Sequence, residues 1–369
     1  MSSVPKLCRM KGVFMKSKSF YRTLGVLCIL LTLLLSACTS KTPEAESTPE
    51  PQSTEQPATE DESAQEPVSS YIAPLTGLPT AEQVTARPIA VMINNMSKAR
   101  PQSGLTHADM LYEVLAEGGI TRLVAIFQSE NFQEPIGPIR SIRPYLIDLG
   151  DSYQGVLVHA GASTDGYAIL QRQRKEHLDE ISNAGPYFFR DKSRKAPHNL
   201  YSTLEKLREG AEKKKYKANV GVTTYPFAKE EDMPIGDDVT KVTVNFLLKN
   251  YKVTYDYDAA SKRYSRSING QPHIDLNTKE TLTATNVVVL GADHRTLDDV
   301  GRLDVNFMKG GEAVLYQRGK AISCTWSRSK TNDVIRLYKD GHELPLYPGK
   351  TIINIVPNHP TFASHIEMG

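Results

Sequence analysis

Apolar residues run uninterrupted through several segments of the first part of the chain, whereas beyond about residue 240 polar and apolar residues alternate. Residues 88–93, 123–127 and Val156–His159 are apolar almost throughout, the pattern of strands covered on both faces. The first of these ends on Asn94 and Asn95. Residues 105–110 carry the marks of a helix start, with Thr106 as cap, Asp109 answering three residues later, and Leu105 and Met110 as a staple. Met110, Leu111, Val114 and Leu115 would form its apolar face, and Gly118-Gly119 would stop it. A second helix is predicted over 165–173, opened by the small-residue turn that holds Gly161 and Ser163. A third starts at Ser202, with Glu205 completing a capping box, and runs into Lys213-Lys214-Lys215. Strands alternating with helices predict an α/β layer domain.

Past residue 240 the period changes to two. Strands are predicted at 242–246, 251–257, 263–266 and 286–290. A hairpin joins 313–316 to 321–326 across Arg318-Gly319, and a second pair joins 335–338 to 351–356. The expected class is α+β, an N-terminal α/β domain over 71–215 and a mostly antiparallel β domain over 241–358. Residues 216–240, richer in Pro, Gly and charge, would link them, and 359–369 would form a tail.

The N-terminus changes the picture from fold to compartment. Lys16, Lys18 and Arg22 precede an apolar run over 24–35 that ends in Leu35-Ser36-Ala37-Cys38. A positive flank, a short apolar core and small residues before a cysteine make residues 1–38 a lipoprotein export signal, with Met1 or Met15 as its start. Cys38 would carry diacylglycerol and anchor the chain on the extracytoplasmic face of the cell membrane; an uncleaved membrane anchor is the alternative. Residues 39–70 are rich in Thr, Ser, Pro, Glu and Gln without an aromatic, the composition of a disordered acidic tether.

Charge narrows the partners. The chain has 44 Lys and Arg against 42 Asp and Glu; seven and eight of these fall in the first 70 residues, leaving 37 and 34 in the body. Such balance argues against a nucleic-acid binder and confines any anion site to a local patch. Of four cysteines only Cys324 lies in the body, so neither an internal disulfide nor a cysteine-based zinc site can form there. No carboxylate stands at metal-motif spacing from His159 or His198, and no metal or cofactor is expected.

The segment Gly137-Pro138-Ile139-Arg140-Ser141-Ile142-Arg143-Pro144 sets two arginines and a serine between prolines, a stiff corner offering forked donors to an anion. Together with Pro88–Asn95, Ala99-Arg100-Pro101-Gln102-Ser103-Gly104-Leu105, Glu117-Gly118-Gly119-Ile120-Thr121-Arg122, His159-Ala160-Gly161 and Ala196-Pro197-His198-Asn199, it resembles the YerB family of bacterial lipoproteins over residues 71–357. The resemblance implies a lipid-anchored two-domain protein and supplies no catalytic residue.

The candidate anion-binding set is Arg100, Arg122, Arg140, Ser141 and Arg143 with Asn94, Asn95, Ser163 and Asn199; Arg190 and Arg194 extend the arginine series. The contrasting expectation is that these arginines pair with acids such as Glu113, Glu117, Asp148 or Asp191 in structural salt bridges. His159 and His198 are the candidate acid–base residues. Asp293-His294-Arg295 with Asp298-Asp299 reads equally as a turn, an interdomain contact or a site, and Trp326 with the tyrosines as core and cross-strand pairs, with a carbohydrate platform as the alternative. The function expected is a binding or accessory lipoprotein of the cell envelope, holding a phosphate- or carboxylate-bearing wall ligand or an envelope protein. Two alternatives stay open: an envelope-polymer phosphotransferase or hydrolase, whose arginine layout is distantly similar to that of LytR-CpsA-Psr enzymes, and a purely structural interaction protein.

Overall fold

The computed structural model describes residues 71–369; the export signal, Cys38 and the tether lie outside the described residues. The body is built on one long mixed sheet. Its first half supplies β1 (Ile89–Asn94), β2 (Met110–Leu115), β3 (Thr121–Phe127), α1 (Pro144–Asp151), β4 (Val156–His159), α2 (Thr164–Arg172), β5 (His177–Asp179) and α3 (Leu204–Lys213). The second half supplies β6 (Lys241–Asn245), β7 (Lys252–Asp258), β8 (Arg263–Ile268), β9 (Asn286–Thr296), β10 (Gly311–Gln317), β11 (Lys320–Ser327), β12 (Arg336–Lys339), β13 (Thr351–Pro357) and β14 (Ile366–Met368).

The long sheet runs β12-β11-β10-β9-β13-β2-β3-β1-β4-β5, so strands of both halves share it. The join is β13 against β2, parallel, with Ile353 opposite Tyr112. β9 is parallel to β13, and β4 is parallel to β1 and β5. β3 is antiparallel to both β1 and β2. β9, β13, β2, β1, β4 and β5 therefore point the same way, as does β11, and their carboxyl ends form one edge. A second, antiparallel sheet, β8-β7-β6-β14, packs on one face. The class is α+β, with a mixed sheet and helices in the N-terminal part and mainly antiparallel strands in the C-terminal part.

Both faces of the long sheet are covered, which explains the uninterrupted apolar runs. Leu111 and Leu115 of β2 and Val91 and Ile93 of β1 join Leu204 and Leu207 of α3 and Val242, Val253 and Tyr255 of the second sheet in one core. Met110, Tyr112, Ala90 and Met92 face the opposite way, onto Leu146, Ile147 and Leu149 of α1. Each such aliphatic side chain contributes about 1.5–3 kcal/mol on burial. Helix α1 lies so close that a β-carbon on Gly150 would stand 2.4 Å from Leu157 and 2.9 Å from Ala90.

Four expectations need correction. The helix predicted from residue 105 is a single 3-10 turn, Leu105–His107, leading into strand β2. Residues Met110, Leu111, Val114 and Leu115 fit a helical face and a doubly covered strand equally well; pairing to β3 and β13 decides. Asp109 does not cap that turn: its carboxylate accepts from the backbone N–H groups of Gln128 (2.5 Å) and Ser129 (3.0 Å). Helix α3 starts at Leu204 and its cap is Thr203, whose hydroxyl accepts from Lys206 N–H; the Ser202 hydroxyl instead donates to the Tyr187 carbonyl. The segments at 335–338 and 351–356 do not pair, because β12 lies beside β11 while β13 fills the gap between β9 and β2. The proline-arginine corner does link β3 to β4, but its last proline is the first residue of α1, where a missing N–H costs nothing.

Candidate functional site

Residues 139–142 cross the carboxyl ends of β1 and β4. Arg140 N–H donates to Met92 O (2.8 Å), Ala160 N–H to Arg140 O (3.1 Å) and Ile142 N–H to Gly161 O (3.0 Å). These bonds lay the corner along the edge where open α/β sheets hold ligands. The amino ends of α1 and α2 lie beside it, with Arg143 and Ser163 as their N-cap residues. Their free N–H groups and dipoles add positive potential.

Three arginines meet here around one acid. Arg122, buried at the start of β3, donates through Nη1 to the Ser141 carbonyl and at 3.4 Å to its hydroxyl. Its Nε is buried without an acceptor. Arg143 pairs through Nε with Glu117 and donates from Nη1 to Ile142 O (2.8 Å). Arg140 is half-buried, and its guanidinium makes no hydrogen bond or ion pair among the described residues. Burial, then the charge of Arg143, lowers the Arg122 pKa to about 10, and the same two causes lower that of Arg140. Burial pushes the Glu117 carboxyl up, but its bond to Arg143 and the charges of Arg143 and Arg122 outweigh it, holding it below the ordinary value. One carboxylate thus faces three guanidiniums.

His198 borders the same edge. Asn94 Oδ1 accepts from Met96 N–H (3.1 Å), which orients the amide so that Nδ2 donates to His198 Nδ1 (2.9 Å). The imidazole proton then sits on Nε2. Burial and the nearby Arg140, Lys98 and Arg194 all lower the His198 pKa, keeping it a neutral donor.

The other candidates have partners elsewhere. Arg190 donates to Asn199 Oδ1 (3.0 Å) and pairs with Glu180 (3.1 Å), while Asn199 Nδ2 donates to the Asp191 and Arg194 carbonyls. Arg194 donates to the carbonyls of Ala99 (2.8 Å) and Pro101 (2.7 Å). Arg100 stands 5.3 Å over the ring of Tyr251. The Ser163 hydroxyl accepts from Gly166 N–H as the cap of α2. His159 is fully buried, with Nδ1 at 3.0 Å from Gly161 O and Nε2 at 3.0 Å from His177 Nδ1. Burial lowers its pKa to about 4 in spite of Asp179, so it is a neutral structural imidazole. Of the acids considered as partners, Glu117 does pair with Arg143. Asp298 closes a turn by accepting from Val300 and Arg302 N–H (both 3.1 Å), and Trp326 is buried with its Nε1–H on Gly291 O (2.8 Å). Burial pushes the Cys324 thiol up to about 11, away from nucleophilic use.

The sequence reading missed a second arginine network between the two sheets. Arg266 of β8 and Glu113 of β2 are completely buried and pair at 2.6 Å. Arg266 Nε donates to His273 Nδ1 (2.9 Å), whose Nε2–H reaches Gln102 Oε1 (2.8 Å). Gln102 Nε2 donates to Asn95 Oδ1 (2.9 Å), and Asn95 Nδ2 stands within hydrogen-bond distance of Glu113 (3.0 Å) and of Thr121 (2.7 Å) and Tyr251 (2.6 Å), whose hydroxyls donate in turn to Glu113. Tyr255 accepts from Arg266 Nη1 and donates to Asn354 Oδ1 (3.0 Å). The one available signal was Glu113 itself, a charge inside an otherwise apolar run.

Comparison with known proteins agrees with this architecture. The N-terminal domain of a family described as of unknown function (DUF3048) matches residues 75–217, and its C-terminal domain matches residues 242–353. A relative from Bacillus subtilis (strain 168), named as the lipoprotein YerB, is 38% identical over 289 residues, spanning 78% of this chain and 86% of its own. The crystal structure of the YerB protein from Bacillus subtilis aligns with a TM-score of 0.74 at 35% identity, covering 81% of this chain and 99% of that one. A chain equivalent to the described body therefore folds by itself. Among the described residues no helix is long and apolar enough to cross a membrane. From the shared motifs, both matched domains and the aligned fold, this chain belongs to the YerB family of lipoproteins.

Proposed function

We propose that this protein is an extracytoplasmic binding lipoprotein of the cell envelope, anchored through Cys38, whose ligand is a phosphate- or carboxylate-bearing anion. The ligand sits at the carboxyl edge of the sheet, on Arg140, with Arg122, Arg143, Ser141 and the Nε2–H of His198 around it. The observation that carries this reading is Arg140: a half-buried guanidinium beside two others, without an acceptor among the described residues. Excess cation at a fixed site costs stability unless an anion completes it, and a forked guanidinium suits phosphate or carboxylate oxygens. His159, buried with both ring nitrogens engaged, offers no acid–base group to that edge.

The test is calorimetric titration of a soluble chain of residues 71–369 with pyrophosphate and, separately, with succinate. Saturable 1:1 binding of one of them, weakened at least tenfold by Arg140→Ala and by raised salt, is expected. Absence of binding to either, or equal binding by the Arg140→Ala chain, overturns the reading.

A further inference from the structure

At the opposite, amino edge of the long sheet, where the second sheet meets it, a cleft of about 320 Å³ opens. That volume lies within the range of about 300–1,000 Å³ typical of ligand sites. One wall is the segment that pairs with β8, Tyr264 opposite Ala284, and it lends Thr281, Thr283 and Thr285 to the lining. Every second residue of an extended chain leaves by the same face, so the three hydroxyls form a row. Leu282 and Ala284, between them, belong to the core. All three threonines are partly exposed, and none of their hydroxyls bonds to another described residue.

Charge in the lining cancels. Asp109, Glu130, Glu230 and Glu280 stand against Lys262, Arg263, Arg318 and Lys350. Six of these eight are committed. Glu230 pairs with Lys262 (2.6 Å) and with Arg318, and Glu130 with His107 Nδ1 (2.9 Å). Asp109 accepts from Gln128 and Ser129, and Lys350 donates to the carbonyls of Leu105 (2.8 Å) and Thr106. Arg263 and Glu280, both exposed, have side chains without an ion pair or hydrogen bond among the described residues.

A lining without net charge does not select an ion. It offers three hydroxyls that both donate and accept, one fork of donors and one pair of acceptors. Leu78, 44% exposed, adds a small apolar surface. A sugar ring matches this set: its hydroxyls can donate to Glu280, accept from Arg263 and do both with the threonines, while its C–H face covers Leu78. A zwitterion would engage Arg263 and Glu280 but leave the threonine row unused.

We propose that this cleft binds a neutral saccharide, held by the row Thr281, Thr283 and Thr285 and by Arg263 and Glu280. The site is separate from the carboxyl-edge arginines and does not depend on them.

The soluble chain of residues 71–369 is titrated with N,N′-diacetylchitobiose, with cellobiose and, as the zwitterion, with alanylalanine. At least one disaccharide should bind one to one, equally at low and at raised salt, because no net charge is involved. Arg263→Ala should weaken that binding at least tenfold, and Arg140→Ala should leave it unchanged. Thr283→Val, which keeps the branched shape and removes only the hydroxyl, should weaken it at least threefold with the same urea midpoint. The proposal fails if neither disaccharide binds, if alanylalanine binds as tightly, if raised salt weakens the binding, or if the Arg263→Ala and Thr283→Val chains bind as the parent does.

Discussion

Arg266 and Arg140 each stand near an acid, Glu113 of β2 and Glu117 just past its end, and they meet opposite fates. Arg266 lies between two sheets with Nε, Nη1 and Nη2 all engaged, on His273, Tyr255 and Glu113. Arg140 lies at the sheet's carboxyl edge, and the nearest acid, Glu117, is already bound to Arg143. A buried guanidinium with complete partners is a fastening between the halves of the molecule; the one without acceptors at the edge is where the proposed ligand would sit. Asn94 and Asn95 sit between the two, one turned to His198 and the other into the buried network.

Removing one partner of the buried pair should have the largest effect. Arg266→Ala or Glu113→Ala leaves an unpaired charge between the sheets and should destabilise the chain by about 3–5 kcal/mol in urea unfolding. Exchanging both for apolar residues, Glu113→Leu with Arg266→Met, should recover a large part of that loss, because no charge is then stranded. If the double variant were as unstable as the sum of the singles, the fastening would owe its strength to the wider hydrogen-bond network rather than to the pair.

Next comes pH. The His159 pKa falls from an ordinary 6.5 to about 4 in the folded chain, chiefly by burial. Between those values the unfolded state binds more protons, so this contribution is complete above pH 6.5 and is lost as pH falls toward 4. The shift corresponds to about 3 kcal/mol. Urea midpoints measured at pH 7 and pH 4.5 should show the loss, and His159→Asn should reduce that pH dependence, leaving the part due to His273, His177 and His294, whose pKa values burial also lowers. Arg122→Met, which removes the donor to the Ser141 carbonyl but leaves an apolar chain in place, should cost less, about 1–3 kcal/mol.

The sequence made most of the strands legible where both faces are covered or where alternation is strict. It misread β2, since a six-residue apolar run carries no period of its own and the local capping signals pointed to a helix. It also hid the pairing of β13, one of whose partners, β2, is more than 230 residues away in the chain. At the site, Arg122, Arg140, Ser141, Arg143 and His198 were recognisable as chemistry, but which of them share an edge depends on where the corner crosses β1 and β4. Arg266 looked like one more polar residue on an alternating strand. Only the second sheet, folding back over Glu113, gives it its role.

Arg140→Ala should change stability least of all, by no more than about 0.5 kcal/mol, since it breaks no bond within the described structure. That small cost is what makes the deciding measurement clean. Titrated with pyrophosphate or succinate, the parent chain should bind one anion and the Arg140→Ala chain should bind at least tenfold more weakly, with the same unfolding midpoint. Equal binding by the two chains, or none by the parent, would contradict the assignment of the carboxyl edge as the binding site.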